Sequence, residues 1–587
     1  MRKKLLQIAA AALCLALCVP SGHAARQQES MVRVGLAHGS GALAAANLEN
    51  NTGYGAGYRF GYFDEDLGFV ELAETGRRQT AITVLRASEM YMKNGQYTAS
   101  DPGGGSRAIG CYHVVLGEYR SLEDAQAQAE EYGGFAAWID GRFQAREGAY
   151  LTQEEAQEAM ERLGGEDVRG TSAYAVNVVE TGSADILFQF DGGSGTAFGI
   201  MPDVTGAEDV RTWFKGYKYR GGFRYERLGG GDLTVVNILE MEEYIKGVIP
   251  YEMSNDWPLE ALKAQAVCAR SYAWNKITSQ GHRSGNFDLC ATEDCQVYHG
   301  VGTDKSNYQA TSRTDRAVEE TAGMYALYQG QPIEAFYASS HGGASERVDN
   351  VWNSSLAKYP YLCGVIDPYE QNAASVNSYS SWTKTWTMEE LARRLQDNNF
   401  PAASISSLEV TYSELGNAIQ VKINYTNGKS NTLTPKMLWG LRSFFNVSSL
   451  HFTINGQGTG SASGGSSSAG AEIRVNESGT LDTGGQVYAI SGTGRTARAD
   501  LEDLYTISGT GSVDALEASG GSGSGSGSTT PAGTVVTITD RTLVLQGAGN
   551  GHQIGMSQYG AYAMAEEGFS YDEIVEFYFP GTQVREY

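Results

Sequence analysis

Two periodicities of apolar residues alternate along the chain, one typical of helices and one typical of strands. Between residues 258 and 273 the apolar positions recur every three or four residues, so they share one face of a predicted helix. Pro258 suits the first turn of this helix, and Glu260 lies where an acidic side chain compensates the exposed N–H groups. The predicted buried face comprises Leu259, Leu262, Ala266, Ala269 and Ala273. Its small alanines would let another element approach closely.

Short apolar runs indicate strands over much of the N-terminal half. Residues 31–36 predict a first strand, and alternation of apolar runs with Gly and Tyr indicates a β-rich region up to residue 105. A β-α-β-β-α-β order follows, in which Thr152 and Glu155 have the spacing of a capping box. Its predicted strands are 111–116, 136–139, 144–150 and 174–179, and its predicted helices are 123–132 and 152–163. The fold class predicted is therefore α+β and multidomain, a β-rich core with an Ala-rich helix plus a small βαββαβ module.

The N-terminal segment and the net charge indicate where the protein acts and which partners are disfavoured. Residues 1–24 predict a signal peptide, with a basic end, an apolar stretch at 5–19 and a small-residue cleavage site. An uncleaved anchor is the alternative, although the apolar run is short for a membrane span. The formal net charge of −24 disfavours nucleic acid and anionic membranes as partners. These features favour an exported protein that acts on a neutral polymer.

Ordered motifs then carry a resemblance to a known family. Glu252 and Met253 precede Gln-Ala-Val-Cys-Ala-Arg-Ser-Tyr-Ala at residues 265–273. Three further motifs follow in order, Cys-Gln-Val-Tyr-His-Gly at 295–300, Phe-Tyr-Ala-Ser-Ser-His-Gly-Gly at 336–343 and Gly-His-Gln-Ile-Gly-Met-Ser-Gln at 551–558. Together they resemble the sporulation stage II protein D family, bacterial lytic transglycosylases that cut peptidoglycan glycan strands. Ser254 stands in place of the family's proline, and Gln553 stands in a glycine position.

The resemblance completes a predicted domain organisation. The β-α-β-β-α-β order also resembles the SPOR module, which binds glycan strands stripped of peptides; a plain structural module is the alternative, because this order recurs in unrelated domains. Tyr119, Trp138 and Tyr150 could stack on sugars or belong to the core. The predicted domains are 1–24 signal peptide, 25–105 β-rich region, 106–182 SPOR-like module, 183–456 first part of the core, 457–533 Gly/Ser-flanked insertion with a two-copy β repeat, and 534–587 C-terminal part of the core.

Glu252 is the catalytic residue that the resemblance implies, placed in the turn before the Ala-rich helix. In a lytic transglycosylase one carboxyl group protonates the glycosidic oxygen and then removes a proton from the muramic acid 6-hydroxyl, which attacks C1 of its own sugar. Ordinary glycosidases instead use two carboxyl groups and water. A single acid can perform both steps in apolar surroundings. The residues that would supply them are Val248, Ile249, Tyr251, Met253 and Trp257. The alternative is a surface capping acid.

The other candidates are polar residues of the Ala-rich helix and of two Gly-rich turns, which would bind sugar hydroxyls or, alternatively, satisfy nearby backbone groups. These substrate-binding candidates are Gln265, Arg270, Tyr272, Ser339, Ser340, Gly342, Gly343, His552, Ser557 and Gln558. A Ser340–His341 nucleophile pair is disfavoured, because neighbouring residues of a strand point to opposite faces.

A cluster of metal-ligand residue types precedes the Gln-Val-Tyr motif. Cys290, Cys295 and His282 could bind zinc, with Asp288 or Asp294 as a fourth donor. The resemblance implies a structural zinc here, and the chemistry of a lone carboxyl group requires no cofactor. A Cys290–Cys295 disulfide is the alternative in an exported protein. Cys268, which lies on the Ala-rich helix, is expected to be a small, buried, apolar residue.

The function predicted is therefore a lytic transglycosylase that leaves 1,6-anhydro-muramic ends on glycan strands, preferring strands whose peptides an amidase has removed. A non-catalytic glycan-binding protein that enhances an amidase is the alternative. The implied partners are glycan strands and a cell-wall amidase, without nucleic acid and without a transmembrane domain after signal cleavage. The expected location is extracytoplasmic, in the cell wall or the forespore intermembrane space.

Overall fold

The computed structural model describes residues 31–50, 57–76, 79–204, 210–279, 281–303, 309–458 and 534–587, together with the backbone of six short strands between 472 and 515. The chain divides into two compact units. The first unit comprises residues 1–255 and 273–319, and the second comprises residues 256–272 and 320–587. The predicted signal peptide lies outside the described residues. Among the described helices, none has the length and apolar character needed to cross a membrane.

The first unit is built on large, mostly antiparallel sheets. A seven-stranded sheet has the spatial order Leu289–Cys290, Met31–Ala37, Thr234–Glu240, Gly222–Glu226, Phe198–Pro202, Tyr58–Phe63 and Phe69–Glu74. A ten-stranded sheet has the order Asp167–Gly170, Tyr112–Tyr119, Arg142–Tyr150, Phe135–Ile139, Ile186–Asp191, Val176–Glu180, Ala81–Arg86, Ala45–Asn50, Thr212–Phe214 and Tyr217–Tyr219. A small third sheet consists of Gln96–Thr98, Met90–Lys93 and Arg107–Ile109. The residues of Thr234–Glu240 are buried except the last, as expected of a central strand covered on both faces.

The second unit consists of smaller sheets. A four-stranded sheet has the order Ser430–Leu433, Ala418–Tyr425, Ile405–Tyr412 and Thr534–Ile538, and three strands pair in the order Trp382–Thr387, Thr542–Gly547 and Phe452–Ile454. Three more pair in the order Gln331–Pro332, Met324–Tyr328 and Gln583–Glu586, and the pair Tyr337–Ala338 and Met556–Ser557 is parallel. The last pair places two of the Gly-rich motifs side by side.

Ten α-helices lie in the described residues. They are α1 Leu122–Glu131, α2 Gln153–Leu163, α3 Met241–Glu252, α4 Leu259–Ser279, α5 Ser312–Glu319, α6 Val348–Val351, α7 Met388–Asp397, α8 Leu441–Phe445, α9 Gln558–Glu566 and α10 Tyr571–Tyr578. The α2 capping box at Thr152 is present, as its spacing predicts.

The Ala-rich helix α4 is buried more completely than its periodicity predicts. The predicted face is buried at Leu262, Ala266, Ala269 and Ala273, and Leu259 is partly exposed. Every residue from 264 to 273 is buried, including the polar side chains of Gln265 and Arg270. A helix buried around its circumference belongs to a core and not to a surface. Cys268 is fully buried as expected, and burial raises the pKa of its thiol.

The β-α-β-β-α-β order is present, but its last strand is not the predicted one. The fourth strand is Asp167–Gly170, which pairs with Tyr112–Tyr119. The predicted strand at 174–179 corresponds to Val176–Glu180, which pairs instead with Ala81–Arg86 and Ile186–Asp191. The module is therefore one part of a sheet that continues beyond it. The Trp138 ring contacts those of Tyr62 and Phe190, at centroid distances of 5.7 and 4.8 Å, and the residue is partly exposed.

Backbone hairpins mark the insertion at 457–533. Glu472–Val475 pairs with Gly479–Asp482, Val487–Ile490 with Thr496–Ala499, and Tyr505–Ile507 with Val513–Ala515, all antiparallel. The two predicted repeat copies each contribute one strand, at 487–490 and 505–507.

Candidate functional site

Glu252 is the last residue of α3, and not part of a turn as predicted. Pro250 lies inside the final helical turn and removes one backbone donor there, yet the helix continues to Glu252. The residues that precede it are apolar and buried, including Val248 and Ile249, and Met253 follows as the buried C-cap. Glu252 itself is partly exposed. The end of α3 therefore fixes this carboxylate on a rigid element without burying it.

The Cys295–Gly300 motif supports Glu252 from within the same unit. The backbone N–H of Val297 donates to Glu252 Oε1 at 3.2 Å. The neighbouring side chains point into the core, because Gln296 Oε1 accepts from Tyr244 of α3 at 2.9 Å and the Tyr298 hydroxyl donates to Asn237 at 2.7 Å. The motif is thus anchored on α3 and presents one backbone donor to the carboxylate.

Two glycines permit this close approach. A Cβ on Gly247 would lie 2.5 Å from the Tyr298 ring, so α3 needs glycine where the motif crosses it. Gly300 has a φ of +59°, and a Cβ there would lie 2.1 Å from the Lys218 carbonyl oxygen. Only glycine combines that φ with that contact at low cost. The close packing of the motif therefore explains why glycine occupies positions 247 and 300.

In the second unit, Gln265 and Gln558 lie together. The Gln558 Nε2 donates to Gln265 Oε1 at 3.4 Å, and both side chains are buried. The Gln265 Nε2 is buried without a hydrogen-bond partner among the described residues. A buried amide donor in this state is costly unless a ligand or water accepts from it. This feature agrees with a polar contact role for Gln265.

The two other helix candidates have structural partners. Arg270 is fully buried, and its Nη1 donates to the Met324 carbonyl at 3.0 Å. Tyr272 is 5% exposed, and its ring packs edge-on against Phe336 at 5.7 Å. The sequence left sugar contact and backbone support open for this pair, and the contacts of Arg270 favour backbone support.

The Ser339–Gly343 turn is held by a residue that the sequence did not single out. Glu370 is 3% exposed, and its carboxylate accepts from the Ser340 hydroxyl, from the His341 N–H at 3.1 Å and from the Gly342 N–H at 3.2 Å. Ser340 is therefore a structural residue of the turn, and its hydroxyl also accepts from Asn377 at 3.1 Å. Ser339 remains partly exposed, as do Gly342 and Gly343.

A buried acidic pair lies behind this turn. Asp367 accepts from the Tyr578 hydroxyl at 2.5 Å and from the N–H of Glu370 at 3.0 Å. Burial, reinforced by the negative charge of Glu370, raises the pKa of Asp367 to about 7. Burial also raises the pKa of Glu370. Neither acid belongs to a recognisable motif; only Tyr578, in the C-terminal helix, could have signalled the pair.

The second Gly-rich turn contains His552 and the departure Gln553. Gln553 has a φ of +66°, which accounts for the glycine that the family has at this position. Its Nε2 donates to the His341 carbonyl at 2.9 Å, and its Oε1 accepts from the Leu450 N–H at 2.8 Å. The side chain therefore joins the two turns and offsets the backbone cost. Burial lowers the pKa of His552 to about 4, so this imidazole is neutral at pH 7.

Ser557 has a structural role as well. It is the N-cap of α9, and its hydroxyl accepts from the Gly560 N–H at 3.1 Å. The predicted substrate-binding set thus contains capping and turn-supporting residues. It also contains Gln265, whose Nε2 has no partner among the described residues, and Ser339, which is partly exposed. Glu252 belongs to the first unit and the rest of this set to the second.

The three predicted metal ligands come together in the first unit. One ligand atom from each of His282, Cys290 and Cys295 lies within 4.8 Å of the others, and His282 Nε2 lies 3.1 Å from Cys295 Sγ. Both cysteines are free thiols. The hydrogen bond between the two thiols lowers the pKa of Cys290 and raises that of Cys295, so the pair shares one proton and favours a thiolate at Cys290. Two sulfurs and one imidazole at these distances fit a zinc ion.

Asp288 is not available as the fourth donor. It is 1% exposed, and its carboxylate is bound by Arg33 through the side chain at 2.6 Å and the backbone N–H at 2.9 Å. Asp294, the other predicted donor, is exposed and lies outside the group of three.

The fold is that of a strand-rich α+β protein, and the candidate site lies largely in one segment that matches a known family. The model of the SpoIID family, described as stage II sporulation protein, matches residues 229–328. This span includes Glu252, helix α4, the three metal-ligand candidates and the Cys295–Gly300 motif.

Similar proteins agree with the domain match. An uncharacterized protein of Brachyspira hyodysenteriae is 28% identical over 360 residues, which are 60% of this chain and 69% of that protein. The amidase enhancer of Bacillus subtilis is 32% identical over 345 residues, which are 58% of this chain and only 40% of that protein. Stage II sporulation protein D of Bacillus subtilis is 26% identical over 358 residues, which are 60% of this chain and 76% of that protein.

Proposed function

We propose that this protein is a lytic transglycosylase that cleaves peptidoglycan glycan strands and leaves 1,6-anhydro-muramic acid ends. The observation that carries the proposal is the position of Glu252. It lies inside the span matched by the SpoIID family, at the end of a buried helix, partly exposed and with the Val297 N–H on Oε1. A fixed and accessible carboxyl group is what a single acid–base residue requires.

Glu252 would act twice in one turnover. The Val297 N–H favours an unprotonated Oε1, so the neutral acid would carry its proton on Oε2. That proton passes to the glycosidic oxygen as its bond to C1 of the muramic acid breaks. The resulting carboxylate takes the proton of the 6-hydroxyl as that oxygen bonds to C1. The proton count closes without water, and the enzyme returns to its starting form.

Product analysis tests this proposal. Purified protein is incubated with glycan strands freed of peptides by an amidase, and mass spectrometry follows the 18-dalton loss that marks an anhydro end relative to hydrolysis. We expect anhydro products from the wild type and none from Glu252→Gln. Glu242→Gln, which changes an acid in the first turn of the same helix, is the matched control. Reducing ends without anhydro products, or an active Glu252→Gln protein, would contradict the proposal.

A second function has one specific observation in its favour. The relative with 32% identity is named an amidase enhancer. In that case the protein would bind glycan and stimulate an amidase without cutting strands. A reconstituted assay of amidase activity on sacculi separates the functions, because stimulation by Glu252→Gln protein equal to that by wild type supports enhancement without cleavage.

We further propose that His282, Cys290 and Cys295 hold a structural zinc. The ion would fix the segment that begins at Cys295 and thereby the Val297 donor. Metal analysis of protein purified without chelator should give one zinc per chain with two reduced cysteines. Metal-free protein that shows a two-hydrogen mass loss at Cys290 and Cys295 would identify a disulfide instead.

The proposed setting is outside the cytoplasmic membrane, where peptidoglycan lies. A cell-wall amidase is the proposed partner, since it would generate the peptide-free strands. Fractionation of cells followed by detection of the mature protein, with sequencing of its N-terminus, tests this location and the predicted cleavage after residue 24.

A further inference from the structure

An aromatic cluster lies next to Glu252 in the first unit. The rings of Tyr217 and His299 are stacked, with centroids 4.3 Å apart and planes inclined by 9°. The Tyr251 ring meets His299 edge-on at 4.9 Å. All three residues are partly exposed. We call Tyr217, Tyr251 and His299 the aromatic cluster.

Chain connectivity joins this cluster to the acid. Tyr251 is the residue before Glu252, and His299 follows two residues after Val297, whose N–H donates to Glu252. The residue between them, Tyr298, is fully buried, whereas His299 is partly exposed. The cluster and the acid are thus presented by the same two segments.

A tight hairpin supplies Tyr217. The strands Thr212–Phe214 and Tyr217–Tyr219 are joined by Lys215 and Gly216, whose φ values of +49° and +88° are those of a type I′ turn. The second strand is then fixed to the motif, because the Val301 N–H donates to the Lys218 carbonyl at 2.8 Å. Tyr217 therefore stands beside His299 by backbone pairing and not by chance side-chain contact.

The chemistry of the cluster suits a sugar. Flat aromatic rings pack against the C–H faces of a pyranose, and tyrosine adds a hydroxyl at its edge. Burial lowers the pKa of His299, so the imidazole is uncharged at neutral pH and adds no charge to the platform. We infer that Tyr217, Tyr251 and His299 form a subsite for an N-acetylhexosamine residue of the glycan strand next to the bond that Glu252 would cleave. This inference rests on the proposed function for the identity of the polymer.

Binding measurements on catalytically inactive full-length protein test the subsite. In the Glu252→Gln background, calorimetry with a soluble N-acetylglucosamine hexamer compares Tyr217→Ala, Tyr217→Leu and Tyr217→Phe. We expect the Ala and Leu variants to bind about tenfold more weakly and the Phe variant to bind within about twofold of the parent. Leucine keeps apolar bulk without a flat face, so the Tyr217→Leu variant tests the loss of stacking even if Tyr217→Ala unfolds the hairpin. Tyr91→Ala, in the small third sheet of the same unit, is the control.

Hydrogen exchange gives a site-specific readout. The hexamer should slow exchange in residues 212–219 and 295–303 of the Glu252→Gln protein. Unchanged exchange there, or equal affinity of the Leu variant and the parent, would overturn the subsite. The two proposals fail separately: binding without anhydro products from the wild type removes the chemistry and keeps the subsite, and anhydro products with unaltered variants remove the subsite and keep the chemistry.

Discussion

Glu252 and Glu370, one in each unit, are both carboxylates that accept backbone N–H groups, but their surroundings differ. Glu370 is 3% exposed and accepts from three donors of the Ser340–Gly342 turn. Glu252 is partly exposed and lies at a helix end, where Val297 orients one of its oxygens. Donors that surround a buried carboxylate stabilise a turn, whereas a carboxylate that is oriented and still reachable can exchange protons. The comparison separates a structural acid from a candidate catalytic acid.

The largest expected effect is on activity and comes from Glu252→Gln. Since general acid–base catalysis contributes about 10²–10⁴-fold for each role, release of anhydro ends should fall by at least about a thousandfold. The Tm should change little, because Glu252 is partly exposed. Calorimetry beside the product assay checks both halves. A large fall in Tm would place Glu252 in the same structural class as Glu370.

The reverse pattern is expected of Glu370→Gln. The new amide would direct N–H groups at a backbone donor of the turn, so at least one buried hydrogen bond becomes a repulsive contact. We expect a loss of about 2–3 kcal/mol in the free energy of unfolding, measured by denaturant titration. Glu389→Gln, an exposed acid of the second unit, should change it by less than about 0.5 kcal/mol. Unchanged stability of Glu370→Gln would remove the structural role assigned to this acid.

The pH dependence of stability sharpens the same contrast through Asp367. The pKa of Asp367 in the folded state is raised to about 7, so the folded protein holds this proton more tightly than the unfolded chain does. The resulting stabilisation is fully present below the ordinary carboxyl pKa. Stability should then fall as pH rises from about 4 through 7. Asp367→Asn keeps a neutral side chain that can accept from the N–H groups of residues 369 and 370. It should flatten this decline in unfolding curves measured between pH 4 and 8; an unchanged slope would contradict the assignment.

The smallest expected effect is that of Gln553→Gly. Glycine relieves the positive φ, worth about 1 kcal/mol, but removes both hydrogen bonds of the Gln553 side chain, one of which satisfies the buried Leu450 N–H. We expect a net destabilisation of about 1 kcal/mol by denaturant titration. A stabilised variant would indicate that the bridge between the two turns contributes less than the backbone strain costs.

Sequence periodicity predicted what local spacing controls. The bounds of α2 and its capping box, the existence of α4 and the proximity of Cys290, Cys295 and His282 all follow from residues close together in the chain. Sequence periodicity could not predict which distant segments pair with one another. Nothing in residues 174–179 indicates that this strand pairs with residues 81–86, and nothing in the Asp367–Glu370 segment indicates which turn it would hold. Tyr217 was missed for the same reason, because its neighbour His299 is 82 residues away in the chain.

The residues that flank the stretch 459–533 both lie next to Tyr412. A Cβ on Gly458 would lie 2.9 Å from the Tyr412 ring, and Thr534 is the backbone partner of Tyr412 across the sheet. The described residues on either side of this stretch, Gly458 and Thr534, therefore both lie beside Tyr412. The length of the stretch then changes the loop-closure entropy only logarithmically, by about 0.6 kcal/mol for each doubling. Deletions, insertions or replacements within residues 459–533 should therefore leave the strands on either side undisturbed. The same junction offers a place to insert a fluorescent or affinity label.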